Sequence, residues 1–290
     1  MNCQIGEQYT LDGEFKAAAR LHQSHFRAKI LKVDYDDYGN RLKNEDAEKL
    51  LNYYNGLNVR SVLRERFPMY SKKRDADMLR SEHIPFNFFA PFTFDHELAK
   101  RLIQSAFGIK CEEIQTIKFE WAPKPKEYYL EDGTAFDVYI GYLNEEFEKS
   151  GIGIEVKYTE KAYPVGLNEK RRVDNKDSHY WRVARTAGVF IDFAEPAFVS
   201  DELRQIWRNH LLGLAMVQRN EIKKFTSIIL FPEGNLHFRQ VIPDYQSLLH
   251  DSCRSHVFGC TYENFIAAIS GDKEIEKWQD YLKKRYLVGS

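Results

Sequence analysis

The sequence predicts an α/β fold, in which helices flank a central mixed β-sheet. Three observations predict it. Residues 95–232 follow the order helix, strand, strand, strand, helix, strand. The strand segments alternate apolar and polar residues or form a short apolar run, and the helix segments repeat their apolar residues at helical spacing. Such an order places helices against the faces of a mixed sheet.

Each element of this core has a local signal. The first helix begins close to Asp95 and ends at Gly108, because an Asp near the start and a Gly after the last turn are typical helix boundaries. Three strands follow, at residues 113–122, 134–143 and 152–160. A long amphipathic helix, a buried strand ended by Pro232 and Gly234, and two further helices complete the chain, at residues 201–219, 225–231, 261–269 and 273–286.

These elements divide the chain into three parts. Residues 81–235 are expected to form the α-β-β-β-α-β core. Residues 1–80 are rich in charged residues, with apolar residues at helical spacing in 46–57, and predict a helical extension packed on that core. Residues 236–290 predict a helical C-terminal addition. A long polar stretch, residues 161–198, interrupts the core between its third strand and its second helix.

Composition sets limits on the class of protein. The 290 residues are 43% hydrophobic and 29% charged, which is typical of a globular chain. The net charge of -1 neither supports nor excludes nucleic acid, since such proteins need only a basic face. No apolar run is long enough to span a membrane. The four cysteines form no C-x-x-C pair and the start resembles no secretory signal, so we expect a cytoplasmic protein without disulfides.

Three chemistry-bearing residues share one face of two strands. Side chains alternate along a strand, so Asp137 lies opposite to the apolar face of its strand. That apolar face is predicted to contain Phe136, Val138, Ile140 and Tyr142. Glu155 and Lys157 likewise lie opposite to Ile154, Val156 and Tyr158. If the two strands pair as a hairpin, the two carboxylates and the ammonium converge on one side of the sheet.

This set of side chains suits metal-assisted hydrolysis. Two carboxylates without His or Cys favour a hard cation such as Mg²⁺, with Mn²⁺ as a substitute. Asp137 and Glu155 are the predicted ligands, and Lys157 supplies a positive charge beside an attacking water. The alternative is a surface strand with solvated or paired charges, and the residues alone leave both open. The E-x-K spacing itself recurs at Glu14 and Glu221, so the shared strand face matters more than the triplet.

The segment FDVYIGYLNEEFEKSGIGIEVKYTE resembles the D…E-x-K signature of the PD-(D/E)XK nuclease superfamily, and residues 80–235 are similar to that family's core. Its motif residues fall on Asp137, Glu155 and Lys157, while Phe136 stands where a Pro often precedes the Asp. The resemblance implies a restriction-endonuclease-like fold. It also implies a Mg²⁺-dependent endonuclease of the restriction or repair type that acts on DNA, for which a homodimer is a common arrangement.

The resemblance suggests further residues. Many relatives add a helical glutamate, for which Glu82 is favoured over Glu97. Gln205 lies where some relatives place a Gln or Tyr near the metal, although a plain polar helix face explains it as well. The insert carries candidate nucleic-acid contacts interleaved with Tyr180 and Trp181, and a solvated loop is the alternative. These candidates are Lys161, Arg171, Arg172, His179 and Arg182.

The sequence is also compatible with two other functions. One is a non-catalytic module that binds nucleic acid or protein on the same fold. The other is an RNA-processing nuclease, which would use the same residues. The sequence contains no phosphate-binding P-loop, so we expect no organic cofactor.

Overall fold

The computed structural model describes residues 3–162, 165–192 and 194–289. Its N-terminal part is mainly helical. The helices are α1 (Glu14–His25), α2 (Asn44–Glu48), α3 (Val59–Arg66), α4 (Lys72–Asp75), α5 (Ile84–Phe89) and α6 (His96–Phe107). Shorter helical turns join them, at Phe26–Leu31, Ser81–His83 and Ala90–Thr93. An antiparallel hairpin of β1 (Tyr35–Asp36) and β2 (Tyr38–Leu42) lies within this part, which the sequence predicts as helical only.

A five-stranded mixed sheet forms the centre of the molecule. Its strands are β3 (Glu113–Trp121), β4 (Phe136–Leu143), β5 (Lys149–Val156), β6 (Lys224–Phe231) and β7 (Val257–Thr261). They lie in chain order across the sheet. The first three are antiparallel to one another, whereas β6 and β7 continue parallel to β5. The predicted α/β fold with a mixed sheet flanked by helices is confirmed.

Seven helices accompany the sheet in the described part of the chain beyond β3. They are α7 (Leu167–Asp174), α8 (His179–Ala187), α9 (Glu195–Phe198), α10 (Asp201–Gln218), α11 (Leu236–Ser247), α12 (Tyr262–Ala268) and α13 (Lys273–Tyr286). Short 3₁₀ turns also occur, at Lys126–Tyr128 and Asp251–His256.

The two faces of the sheet carry separate cores. Val138, Ile140 and Ile154 pack towards α5, α6, α12 and α13. The opposite face packs against α8, α10 and α11, through residues such as Tyr139 and Phe225. Phe136 belongs to this second core, so its predicted place beside Val138 is wrong. The reason is Gly153: a Cβ built there would lie only 2.6 Å from the Phe136 ring, which occupies that space.

Local signals account for the helix boundaries around the site. The Asp95 carboxylate accepts a hydrogen bond from the Leu98 N–H at 2.8 Å, and Gly108 takes the left-handed conformation after the last turn of α6. The Ser200 hydroxyl likewise caps α10 by accepting from the Leu203 N–H at 3.2 Å. These caps determine the boundaries of two helices that flank opposite faces of the sheet.

Two regions differ from the sequence-based expectation. The insert at 161–198 contains α7, α8 and α9 rather than a plain polar loop, because Val173, Tyr180 and Trp181 bury an apolar side against α10. The C-terminal addition contains the strand β7 as well as helices, and its five residues include Gly259, which weakens the strand signal. In the part of the chain that the structure describes, no helix combines the length and apolar character that a membrane crossing requires.

Candidate metal and nuclease site

The candidate site lies at one end of the sheet, where β3 and β5 finish and the antiparallel β4 begins. Asp137 is the second residue of β4, and Val138 pairs with Ile154 of β5. Continuing this register by one residue places Asp137 opposite Glu155. Its Oδ2 accepts a hydrogen bond from the Val156 N–H at 2.6 Å, which holds the carboxylate against β5.

Two other carboxylates lie close enough to Asp137 to disfavour its charged form. Burial and the charges of Glu155 and Glu120 raise the pKa of Asp137 well above its ordinary value, while the ammonium of Lys157 opposes the shift. Shifts of this direction and cause are concentrated at functional sites, because folding alone does not favour like charges in one place.

Glu155 and Lys157 form a buried ion pair. The Nζ of Lys157 lies 2.6 Å from Oε1 of Glu155, and only 4% of the lysine is exposed. The main chain of Lys157 is held on both sides. Its N–H donates to the Leu230 carbonyl at 2.8 Å, and its carbonyl accepts from the Tyr262 hydroxyl at 2.6 Å. These two bonds fix the backbone from which the lysine side chain reaches Glu155.

Two amides on α10 hold the same carboxylate. Gln205 donates through Nε2 to Oε1 of Glu155 at 3.0 Å, and Asn209 donates through Nδ2 to Oε2. The two residues are four apart, so they share one face of the helix. The structure thus brings Gln205 to the predicted site. Asn209 joins it, as its place one turn further along the same helix face indicates.

Glu120 is a further residue of the site, and the sequence does not predict it. Its neighbours Phe119 and Trp121 pair with Val138 and Phe136 of β4, so Glu120 lies beside Asp137 in the sheet. Burial and the charge of Glu155 raise the pKa of Glu120 to about 7, against the opposing charge of Arg66. No local sequence signal identifies it, because only the register of β3 on β4 and of β4 on β5 puts Glu120, Asp137 and Glu155 in one row.

Glu82 lies at the rim, in the 3₁₀ turn before α5. Arg80 donates two hydrogen bonds to its carboxylate, at 2.8 and 2.9 Å, and Lys73 lies 3.3 Å away. Burial raises the pKa of Glu82, but these cations outweigh it and the net shift is downward. Its charge nevertheless acts on Glu120. Glu97, the other candidate, is exposed in the first turn of α6.

The Glu82 turn is attached to the strand that carries the ion pair. Oε1 of Glu160 accepts from the Ser81 N–H at 3.0 Å, and Oε2 accepts from the Tyr158 N–H at 2.7 Å. One carboxylate therefore joins the N-terminal helices to the end of β5.

The predicted nucleic-acid contacts have unequal surroundings. Lys161 is exposed and lines the same cavity as Glu155 and Lys157, while Arg171 and Arg182 are exposed on α7 and α8. Arg172 donates to the carbonyls of Asn168 and Glu131, at 3.1 and 2.9 Å. His179 is hydrogen-bonded through Nδ1 to the Tyr129 carbonyl at 2.9 Å.

Two aromatic residues of the insert, Tyr180 and Trp181, are buried. Tyr180 and Trp181 are both 0% exposed. Trp181 packs on Trp207 with ring centroids 4.8 Å apart, and its indole N–H donates to the Val173 carbonyl at 2.7 Å. Tyr180 and Trp181 are therefore not accessible to bases, because they form the core that fixes the insert.

Arg208 connects the insert to α10 through hydrogen bonds and ion pairs. It donates to Asp132 at 3.0 Å and to the Thr134 hydroxyl at 2.8 Å, and its other terminal nitrogen lies 3.1 Å from Glu169 of α7. The loop before β4, the insert and α10 thus share one cation. This contact keeps α10, and with it Gln205, in place over Glu155.

The donor set fits a hard cation. Asp137 and Glu155 offer oxygen only, as Mg²⁺ prefers, and their mutual repulsion is of the kind that a cation relieves. Among the described residues, no three His, Cys, Asp or Glu side chains come together as a complete metal site. Water and phosphate oxygens usually supply the remaining Mg²⁺ ligands.

Comparison with known proteins gives one match. A family model described as the PD-(D/E)XK nuclease superfamily matches residues 10–288. The match therefore includes the N-terminal helices and the C-terminal addition as well as the strands that carry the site. No curated protein and no solved structure matched the chain.

Proposed function

This chain belongs to the PD-(D/E)XK nuclease superfamily and has its restriction-endonuclease-like fold, and from that premise we propose that it is a Mg²⁺-dependent endonuclease that hydrolyses phosphodiester bonds in DNA. One observation carries the proposal. The buried pair of Lys157 and Glu155 lies beside Asp137, whose carboxylate is crowded by like charge. A purely structural sheet edge has no need of that arrangement.

Asp137 and Glu155 are the proposed ligands. Oε1 of Glu155 accepts from Lys157 and Gln205, whereas Oε2 accepts from Asn209 alone, so Oε2 keeps more lone-pair capacity for a cation. The bound Mg²⁺ would lower the pKa of a water and stabilise charge on the phosphate oxygens. Binding would also relieve the repulsion that raises the pKa of Asp137.

Lys157 contributes a fixed positive charge. Its ion pair with Glu155 and its burial keep the ammonium beside the carboxylate, and a charge placed before the reaction begins is what electrostatic stabilisation of a transition state requires. From there it would orient the attacking water and stabilise the developing negative charge. Gln205 and Asn209 act one step further out, because they fix the plane of the Glu155 carboxylate.

Backbone phosphates would be bound by exposed cations of the insert and the site rim. Arg171, Arg182 and Lys161 are exposed, and Arg172 and His179 are only partly covered. Contacts of this type give affinity without reading the sequence, and they weaken as salt is added. A two-fold dimer would present one such site to each strand of a duplex.

The test uses closed circular DNA, because only an endonuclease can cut a substrate without ends. The parent should nick it with Mg²⁺ or Mn²⁺ and not with EDTA. Asp137→Asn and Lys157→Ala should lose the activity by at least about a hundredfold. The matched control is Lys16→Ala, taken from an E-x-K triplet on α1 whose lysine is exposed and pairs with Asp12.

Equal cutting by both site variants and the parent would refute the assignment. Cutting of structured RNA but not of DNA by the parent would keep the site and change the substrate. If the parent cuts neither and takes up no Mn²⁺ in a calorimetric titration, the fold serves binding rather than catalysis.

A further inference from the structure

A small cavity lies beside the ion pair, on the side of the sheet that faces α10 and the start of α11. Side chains from β5, β6 and both helices line it. The polar residues that line its interior are Glu155, Lys157, Gln205, Asn209, Ser227 and His237. Lys161 and Glu202, which also line it, are exposed and form its rim.

Two features distinguish His237 from the other polar residues of this interior. The proposed mechanism does not use it, and one of its ring nitrogens lacks a hydrogen-bond partner among the described residues. It is the second residue of α11. Its Nε2 is fully buried and has no hydrogen-bond partner within the described ranges of the chain. Burial and the charge of Lys161 lower the pKa of His237, against the opposing charge of Glu202, so the ring is neutral at neutral pH. Buried ring nitrogens in folded proteins are satisfied by protein or by ordered water.

The size of the cavity limits what can bind to Nε2 of His237. About 10 Å³ is open to the centre of a water molecule. That is room for roughly one water, and far too little for a phosphate group or a nucleotide. The walls also supply more than the two polar partners that a buried water needs.

We propose that this cavity holds one water molecule, which bridges Nε2 of His237 to the Glu155–Lys157 pair, and that His237 is a positioning residue of the site. The positioning role rests on the proposed nuclease function, whereas the water site does not. The bridge would limit the movement of the Lys157 ammonium, whose direction sets where the attacking water is stabilised.

Crystal structures of the free protein test the water site directly. The parent should show a water about 3 Å from Nε2 of His237 and from one polar atom of the pair. His237→Gln, which keeps a polar atom, should retain the water. His237→Leu should lose it, and the Lys157 ammonium should move away from Glu155 or occupy a second position. A dry cavity in the parent overturns the proposal, as does an unmoved Lys157 in the Leu variant.

Kinetics test the positioning role. We expect His237→Leu to lower kcat about fivefold with KM unchanged, and His237→Gln to restore it within about twofold. His256→Leu is the control, because His256 is also half-buried but lies outside this cavity. An unchanged kcat in His237→Leu overturns the role. A parent that cuts no nucleic acid refutes the proposed function instead, and the crystal structures still decide the water site and the position of Lys157.

Discussion

Replacing Glu120 by Gln should stabilise the metal-free protein at alkaline pH. Burial and the charge of Glu155 raise the pKa of Glu120 to about 7. The folded protein therefore holds this proton more tightly than the unfolded chain does. As the pH rises through that interval, the folded state must give up the proton and loses stability. The neutral amide of Gln removes this dependence.

The magnitude follows from the shift. The pKa of Glu120 rises from 4.5 to about 7, and each unit corresponds to about 1.4 kcal/mol, so full ionisation costs about 3 kcal/mol. Solvent reaches part of the side chain and screens it, so we expect about 2 kcal/mol at pH 8. In a chain of this size that is about 4 °C in Tm. At pH 5 the gain should fall below about 1 kcal/mol.

The assay is thermal unfolding in EDTA at pH 5 and pH 8. Glu82→Gln is the matched control, because Arg80 and Lys73 lower the pKa of Glu82 despite its burial. Its carboxylate therefore stabilises the folded state above its ordinary pKa, and this contribution is lost as the pH falls. Glu82→Gln should lower stability at pH 8 by less than about 1 kcal/mol.

The two substitutions should thus have opposite signs at pH 8. If Glu120→Gln lowers Tm at pH 8, or raises it equally at pH 5 and pH 8, then repulsion from Glu155 does not destabilise ionised Glu120. Addition of Mg²⁺ should narrow the difference between the parent and Glu120→Gln, since a cation relieves the repulsion that the amide removes.

Mg²⁺ at a hundred times its Kd should stabilise the parent by about 2.7 kcal/mol in thermal unfolding and leave Asp137→Asn unchanged. This gain should shrink as the pH falls, because the raised pKa of Asp137 lets protons compete with the cation; a pH-independent gain would contradict it. Asn209→Leu should lower kcat on closed circular DNA about tenfold, or about 1.4 kcal/mol, because it removes a donor from Glu155. Full activity in that variant would show that Gln205 suffices. Arg208→Met should cost about 3 kcal/mol in urea unfolding, because the largely buried Asp132 loses its cation; a loss within error would mean that Asp132 finds another donor.

Elements with strong periodic patterns could be predicted from the sequence. The strand at 113–122 and the helix at 201–219 agree with β3 and α10 to within about two residues. The insert could not be predicted, because its short helices depend on burial of Trp181 against Trp207 rather than on local pattern. For β7 the limit was length: a strand of five residues with an internal Gly carries little periodic signal.

At the site, the sequence brought Asp137, Glu155 and Lys157 to one face because alternation along a strand is a local property. Gln205 was a helix-face candidate, and its contact with Glu155 depends on how α10 crosses β5. Glu120 required the register between β3 and β4, which no short segment encodes. His237 lies some 80 residues after Glu155 along the chain and lines the same cavity only because α11 begins soon after β6 ends.

The sequence by itself determined the secondary structure of the core, the family, and the strand face that carries the two acids and the lysine. Those properties follow from short-range periodicity and residue chemistry. Only the tertiary structure decided which charges are crowded, which are neutralised and which amides hold Glu155. The physical reason is that burial and electrostatic interaction depend on distances between residues far apart in the chain, and packing alone sets those distances.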